Sequence, residues 1–149
     1  GNGFLAEHVR LLTDSYRRWT GHALVAPGLS AAQQAREIWF APFVVASHGT
    51  QSDPVFNYGN RAALALFEAS WAAFVAMPSR LSAAPLAREE RQRLLAEVTS
   101  RGYVDDYAGV RVSTGGRRFR IVRATVWNVV GPDGEYRGQA VMFRDWQYV

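Results

Sequence analysis

The chain has 149 residues, 48% of them hydrophobic, a length that fits one domain able to bury most of its apolar surface without covalent staples. It contains no cysteine, which removes disulfides, thiolate metal sites, redox thiols and cysteinyl cofactor adducts. The formal charge is +4, and all 17 basic residues are arginines scattered along the chain rather than gathered into a stripe, which argues against a nucleic-acid surface.

Phe4, Leu5, His8, Leu11, Leu12, Ser15, Tyr16 and Trp19 recur at helical spacing, with Arg10, Asp14, Arg17 and Arg18 on the other side, so the first element is an amphipathic helix ending at Gly21. Ser30 with Gln33 is a capping-box signature for a second short helix that Pro42 stops. The pattern then shortens. Phe43 to Ser47 and Pro54 to Tyr58 are apolar, β-branched or aromatic runs around a polar turn, which predicts a hairpin. Asn60 and Ser70 stand where helix caps would, ahead of Leu64 and Phe67 and of Trp71, Phe74 and Met77. Pro85 opens a longer helix carrying Leu86, Leu94, Leu95 and Val98, which Gly102 closes.

The last third reads as a three-strand antiparallel meander, Tyr103 to Ser113, Arg117 to Val130 and Tyr136 to Tyr148, turning at Thr114-Gly115-Gly116 and Gly131-Pro132-Asp133-Gly134. The expected fold class is α+β, a five-stranded antiparallel sheet with helices on one face, preceded by an N-terminal helical extension over 4–40, with the core at 43–149. Pairing Ser113 with Gly116 would set Asp106 opposite Arg123 as a cross-strand ion pair. Both would then share a face with Phe119, Ile121, Thr125 and Trp127. A bulge at Gly109 or Gly134 would shift these registers.

Candidate binding residues come from three places. Asn57, Tyr58 and Asn60 lie where a strand runs into a helix start and can present amide and phenol groups to a pocket, although Asn60 also suits a plain cap. Trp71, Phe74, Met77 and Arg80, spaced by three, could form an aromatic and thioether wall with a guanidinium at its rim, and an ordinary core uses the same stripe. Asp106, Arg123, Phe119 and Trp127 supply a polar pair on an apolar sheet face, either a structural bridge or a ligand anchor. His8, His22 and His48 lack metal-ligand spacing, and no acid is set to orient His48 beside Ser47, so no catalytic or metal residues are assigned. An enzyme is not expected.

Several strings carry a family likeness. Asp53 to Ala63, the Pro132-Asp133-Gly134 turn and the closing Val141-Met142-Phe143-Arg144-Asp145 resemble a PAS domain. Ser15 to Gly21, Ser47-His48-Gly49-Thr50, Phe56 to Leu64, Pro78 to Ser82, Arg117 to Ile121 and Ala124 to Asn128 resemble the stand-alone bacterial proteins of the MEKHLA family, over nearly the whole chain. The six-letter string that names the family is absent here. The resemblance implies a PAS-like sensory or regulatory module that binds a small organic ligand or a partner protein and signals by altered packing or dimerisation. A noncovalent flavin or small metabolite is the cofactor compatible with it, with no metal. The amphipathic first helix is the expected homodimer element unless it packs back on its own sheet. Two other readings stay open: an isomerase-like or hydratase-like enzyme of cone-shaped α+β fold, for which only Asp106 with Tyr103 or Tyr107 approaches a titratable dyad, and a ligand-free module docking partners on an open sheet face. Without a membrane-length apolar run or a signal-peptide pattern, a cytoplasmic location is expected.

Overall fold

The computed structural model describes residues 5–83 and 88–149, so the expected roles of Phe4, Pro85 and Leu86 lie outside the described residues. Helix α1 (Ala6–Thr20) buries Val9, Leu12 and Tyr16 on one side and exposes Arg10, Asp14, Arg17 and Arg18 on the other. It ends as expected at Gly21, whose left-handed φ of 76° lets its N–H reach the Arg17 carbonyl at 2.9 Å. Helix α2 (Ala31–Phe40) starts in the Ser30–Gln33 capping box, with both reciprocal bonds made.

Strands β1 (Val44–His48) and β2 (Phe56–Gly59) form the expected hairpin. Asn60 then caps α3 (Arg61–Phe67), Ser70 caps the short α4 (Trp71–Phe74), and a 3-10 turn covers Ser79–Ser82. Helix α5 (Arg88–Arg101) closes at Gly102, where φ is 97°. The tight approach of α1 requires that glycine a second time, because a Cβ there would sit 2.6 Å from the Trp19 ring.

The sheet has the order β2-β1-β5-β4-β3 and is antiparallel throughout, with β3 (Tyr103–Val112), β4 (Arg118–Val130) and β5 (Tyr136–Phe143) making the expected meander. Its last strand is broken at Arg144, and the remainder, β6 (Asp145–Tyr148), pairs with β4 beyond the end of β5. The break falls across from Arg123, between the pairs Val122↔Asp145 and Thr125↔Met142, and Arg123 itself has a left-handed φ of 51°.

Two expected registers are corrected. Val112 pairs with Arg118 and Gly109 with Ile121, and irregularities on either side of Tyr107 carry the strands to Val104↔Val126. The Asp106–Arg123 ion pair is therefore not formed. Arg123 instead bonds Asp145 at 2.9 Å across β6, and Asp106 is exposed. The kink at Arg123 also reverses the alternation of β4. Phe119 and Ile121 before it and Ala124 and Val126 after it share one face, while Trp127 and Val129 turn to the other. In the last hairpin Gly134, at φ 81°, closes the turn by donating to the Gly131 carbonyl at 2.9 Å, and the ladder shifts again at Gly138, where φ is 128° and a Cβ would lie 2.0 Å from the His48 carbonyl oxygen.

Both sheet faces are consequently covered among the described residues. On one, Phe56, Phe67, Phe74, Leu94 and Val98 from the hairpin and helices α3 to α5 meet Phe119, Ile121, Val126 and Phe143. On the other, Val9, Leu12 and Tyr16 of α1 and Ile38 of α2 meet Val45, Tyr58, Trp127, Val129 and Met142. Each such fully buried side chain contributes roughly 1.5–3 kcal/mol of transfer free energy. The face that an open docking surface would need is thus filled by the chain's own N-terminal helices, and the apolar stripe of α1 is spent there.

Candidate functional site

A cavity of about 70 Å³ lies between the first of these faces and helix α5 with the 3-10 turn. Ala46 and His48 of β1, Ile121 and Val126 of β4 and Val141 and Phe143 of β5 line it from the sheet, and Phe56, Phe67 and Leu94 help to close it. Its walls are mostly apolar. Against them stand Arg91 from α5, Arg111 from β3, Tyr107, Ser79, Ser82, His48 and Gln139.

The arginines are the unusual feature. Arg91 is 6% exposed and Arg111 is 9% exposed, yet neither forms a salt bridge among the described residues. Arg91 Nη2 donates to Ser79 Oγ, whose neighbour Ser82 donates to the Ser79 carbonyl at 2.7 Å. Arg111 Nη1 donates to the Val110 carbonyl at 3.0 Å, and its guanidinium lies over the Tyr107 ring, 5.3 Å from the centroid. Burial and then the positive charge of Arg111 push Arg91 down to about 10, while Tyr107 and Asp53 act the other way. The cavity wall therefore carries two buried guanidiniums without a carboxylate partner among the described residues.

His48 adds a second unfinished group. Its Nδ1 lies 3.0 Å from the Gly49 carbonyl oxygen, which can only accept, so Nδ1 bears the proton and Nε2 is left as an acceptor. Nε2 is buried and has no hydrogen-bond partner among the described residues. Burial holds the imidazole below its usual range and the Arg91 charge adds to this, opposed by the Gly49 carbonyl and the Gln139 amide.

Gln139 connects the cavity to the rest of the molecule. Its Nε2 reaches the Leu95 carbonyl, Thr99 Oγ1 and Asn128 Oδ1, each at 3.1 Å. Asn128 in turn donates from Nδ2 to the Val98 carbonyl at 3.0 Å, and its own carbonyl accepts from Trp19 Nε1 at 2.9 Å. One network therefore ties β5, β4, α5 and α1 together.

None of the residues chosen from sequence lines this cavity. Asn60 is wholly buried and used up as a clasp: Oδ1 accepts from Val45 and Ala63 N–H at 3.1 and 3.0 Å, and Nδ2 donates to the Ile38 and Phe43 carbonyls at 2.9 and 2.8 Å. Asn57 accepts from Ser47 Oγ at 2.5 Å, and because that hydroxyl proton is spent, His8 Nε2, 3.0 Å from Ser47 Oγ, must donate to it. Tyr58, Trp71 and Trp127 are brought together on the α1 and α2 face, Tyr58 edge-on to Trp71 at 5.9 Å, and they pack there. Phe74 stacks on Phe56 at 4.2 Å, Phe119 is buried in the same core, and Met77 packs against it. Arg80 bonds both oxygens of Asp53 at 3.1 Å on the surface, holding the loop. Asp106, exposed beside the lining Tyr107, does not complete a dyad facing the cavity. Among the described residues no group of His, Asp and Glu is arranged to hold a metal ion.

The residues that sequence reasoning missed had a signal. Arg91 continues the buried stripe of Leu94 and Val98 backward along α5, and Arg111 shares the inward parity of Tyr107 on β3. An arginine at a core position of both elements was the clue.

A sheet in this order, with a cavity between one face and the helices joining β2 to β3, defines a PAS-like domain. The PAS domain of a protein from Colwellia psychrerythraea superposes with a TM-score of 0.64 at 16% identity, over 76% of this chain and 93% of that one. The light-state dimer of the fungal blue-light photoreceptor Vivid gives 0.59 at 15%, over 93% and 91%. The PAS domain, in complex with ethanol, of a LuxR-family transcriptional regulator from Burkholderia thailandensis gives 0.55 at 16%, over 72% and 92%. No curated protein matches the chain in sequence. Within this class, the chain belongs to the MEKHLA domain family, whose model matches residues 6–148.

A flavin does not suit the site. Pockets for drug-sized ligands run to roughly 300–1,000 Å³, against about 70 Å³ here.

Proposed function

We propose that this domain is a sensory module that admits a small organic ligand to the cavity under α5 and reports its presence by altered packing of α5 and α1. One observation carries this reading: Gln139 lines the cavity and is also bonded to α5 and to Asn128, whose backbone carbonyl receives Trp19 Nε1 of α1. A ligand that displaces the Gln139 amide changes contacts on both faces of the sheet at once. The regulator domain bound to ethanol offers a precedent for a ligand of few atoms on this fold.

Output to a second copy would pass through α1, whose outward side carries Arg10, Asp14, Arg17 and Arg18. A dimer formed there is polar and weak unless α1 leaves the sheet, because its apolar stripe is already buried.

Hydrogen exchange by mass spectrometry, with and without small compounds that raise the melting temperature, tests the reading. Changed protection in both α5 and α1 on binding supports it. Protection confined to the cavity lining, or no compound that binds, removes it. Sedimentation velocity on the same samples reads any change of assembly.

A further inference from the structure

Resting on that reading of the cavity, we propose that its ligand is a short-chain carboxylate, held at its acid group by Arg91 and Arg111 with its apolar tail against Phe56, Phe67 and Val126.

Charge balance is the first argument. A buried guanidinium without a counter-charge is costly, and proteins tolerate it where a ligand supplies the missing anion. Here two such groups come from different elements, α5 and β3, and meet at one cavity. Neither has a salt-bridge partner among the described residues. Among the described residues Arg91 donates to the Ser79 hydroxyl and Arg111 to the Val110 carbonyl, so both planar forks retain N–H donors. Planar donors of this kind match the two oxygens of a carboxylate.

His48 lines the same cavity, is 8% exposed and leaves Nε2 without a partner among the described residues, whereas buried polar atoms in folded proteins are nearly always paired. As an acceptor, Nε2 needs a donor that an ionised carboxylate lacks, so the anion's place is at the two guanidiniums and not at His48.

Size and lining set the rest. A cavity of about 70 Å³ takes a molecule of a few heavy atoms, and its largely apolar walls favour a hydrocarbon tail over a sugar or a nucleotide.

The test is calorimetry and thermal melting of the wild-type chain with butanoate and hexanoate, each against its alcohol and amide of the same length, and with acetate and chloride as tail-free anions. The expected result is one site for the acids, with the alcohols and amides weaker by about tenfold or more, the size of a charge-assisted hydrogen bond. Arg91→Gln and Arg111→Gln should each lower the ratio of acid to amide affinity, and the double variant should bring it close to one. Should either variant fail to fold, the wild-type comparison of acid with amide still decides. Equal binding of acid, alcohol and amide overturns the carboxylate and leaves the cavity reading standing. Acetate or chloride binding as tightly as hexanoate overturns the role of the apolar walls. If neither acids nor neutral compounds bind, the cavity reading falls as well.

Discussion

Gln139 Nε2 donates to Asn128 Oδ1 at 3.1 Å, joining the cavity lining to the strand position that holds both α5 and α1. Gln139→Leu cuts this link and leaves Asn128 Oδ1 short of a donor, while the Leu95 carbonyl keeps its bond from Thr99 Oγ1 at 2.8 Å, at a cost of about 1–3 kcal/mol. It should still allow ligand-induced stabilisation, read by melting, while removing the ligand-dependent change in α1 protection, read by hydrogen exchange. Binding that persists with the α1 response intact would show that the signal does not use this residue.

Asn60 closes four hydrogen bonds between the end of α2, the start of β1 and the first turn of α3. Asn60→Ala loses a helix cap worth about 1 kcal/mol. It also strands buried backbone groups at about 1–3 kcal/mol each. A loss of at least 3 kcal/mol in urea denaturation is expected. Asn60→Asp should not rescue it, because a carboxylate cannot donate to the Ile38 and Phe43 carbonyls and would bury a charge.

His8 and His48 are both held below the usual histidine range by burial. As pH falls through about 6.5 the unfolded chain therefore binds protons before the folded one does. Stability is complete above that pH and declines below it. His48 faces the Arg91 guanidinium and the Gln139 amide, and His8 faces Ser47 and the Tyr58 ring, so neither is rescued by an acid. Urea midpoints between about pH 8 and pH 5 should fall, and the double variant His8→Gln, His48→Gln should flatten the curve.

Gly138 stands in a bulge where a Cβ would meet the His48 carbonyl oxygen at 2.0 Å, with φ at 128°. Gly138→Ala must therefore part β1 from β5, and a loss above about 3 kcal/mol or failure to fold is expected. A melting temperature near that of the wild type would mean that the bulge can move along β5.

Arg91→Met removes a buried charge and fills similar space with an apolar chain. Exchange of this kind is often neutral or stabilising by about 1–4 kcal/mol. The variant should melt at or above the wild-type temperature while losing carboxylate binding, a gain in stability obtained by giving up the site. A large destabilisation would assign Arg91 to structure through its Ser79 contact.

Local chemistry determined much of this protein. Gly21, the Ser30–Gln33 box, Asn60, Ser70, Gly102 and the two hairpin turns each act within a few residues, so helix ends, strand runs and the meander were legible from the chain, and the strings resembling PAS and MEKHLA proteins led to the right family. What only the tertiary structure decided was the facing of side chains. One kinked residue, Arg123, reverses every position after it, which sends Trp127 to the α1 face and breaks the expected pairing with Asp106. The cavity depends on contacts distant in sequence: Arg91 and Arg111 meet only because α5 lies over β3, and His48 reaches them only because β1 inserts beside β5. Periodicity records which residues prefer burial. It holds no information on which buried residues will face one another, because a single-residue shift in a strand exchanges the two faces of a sheet.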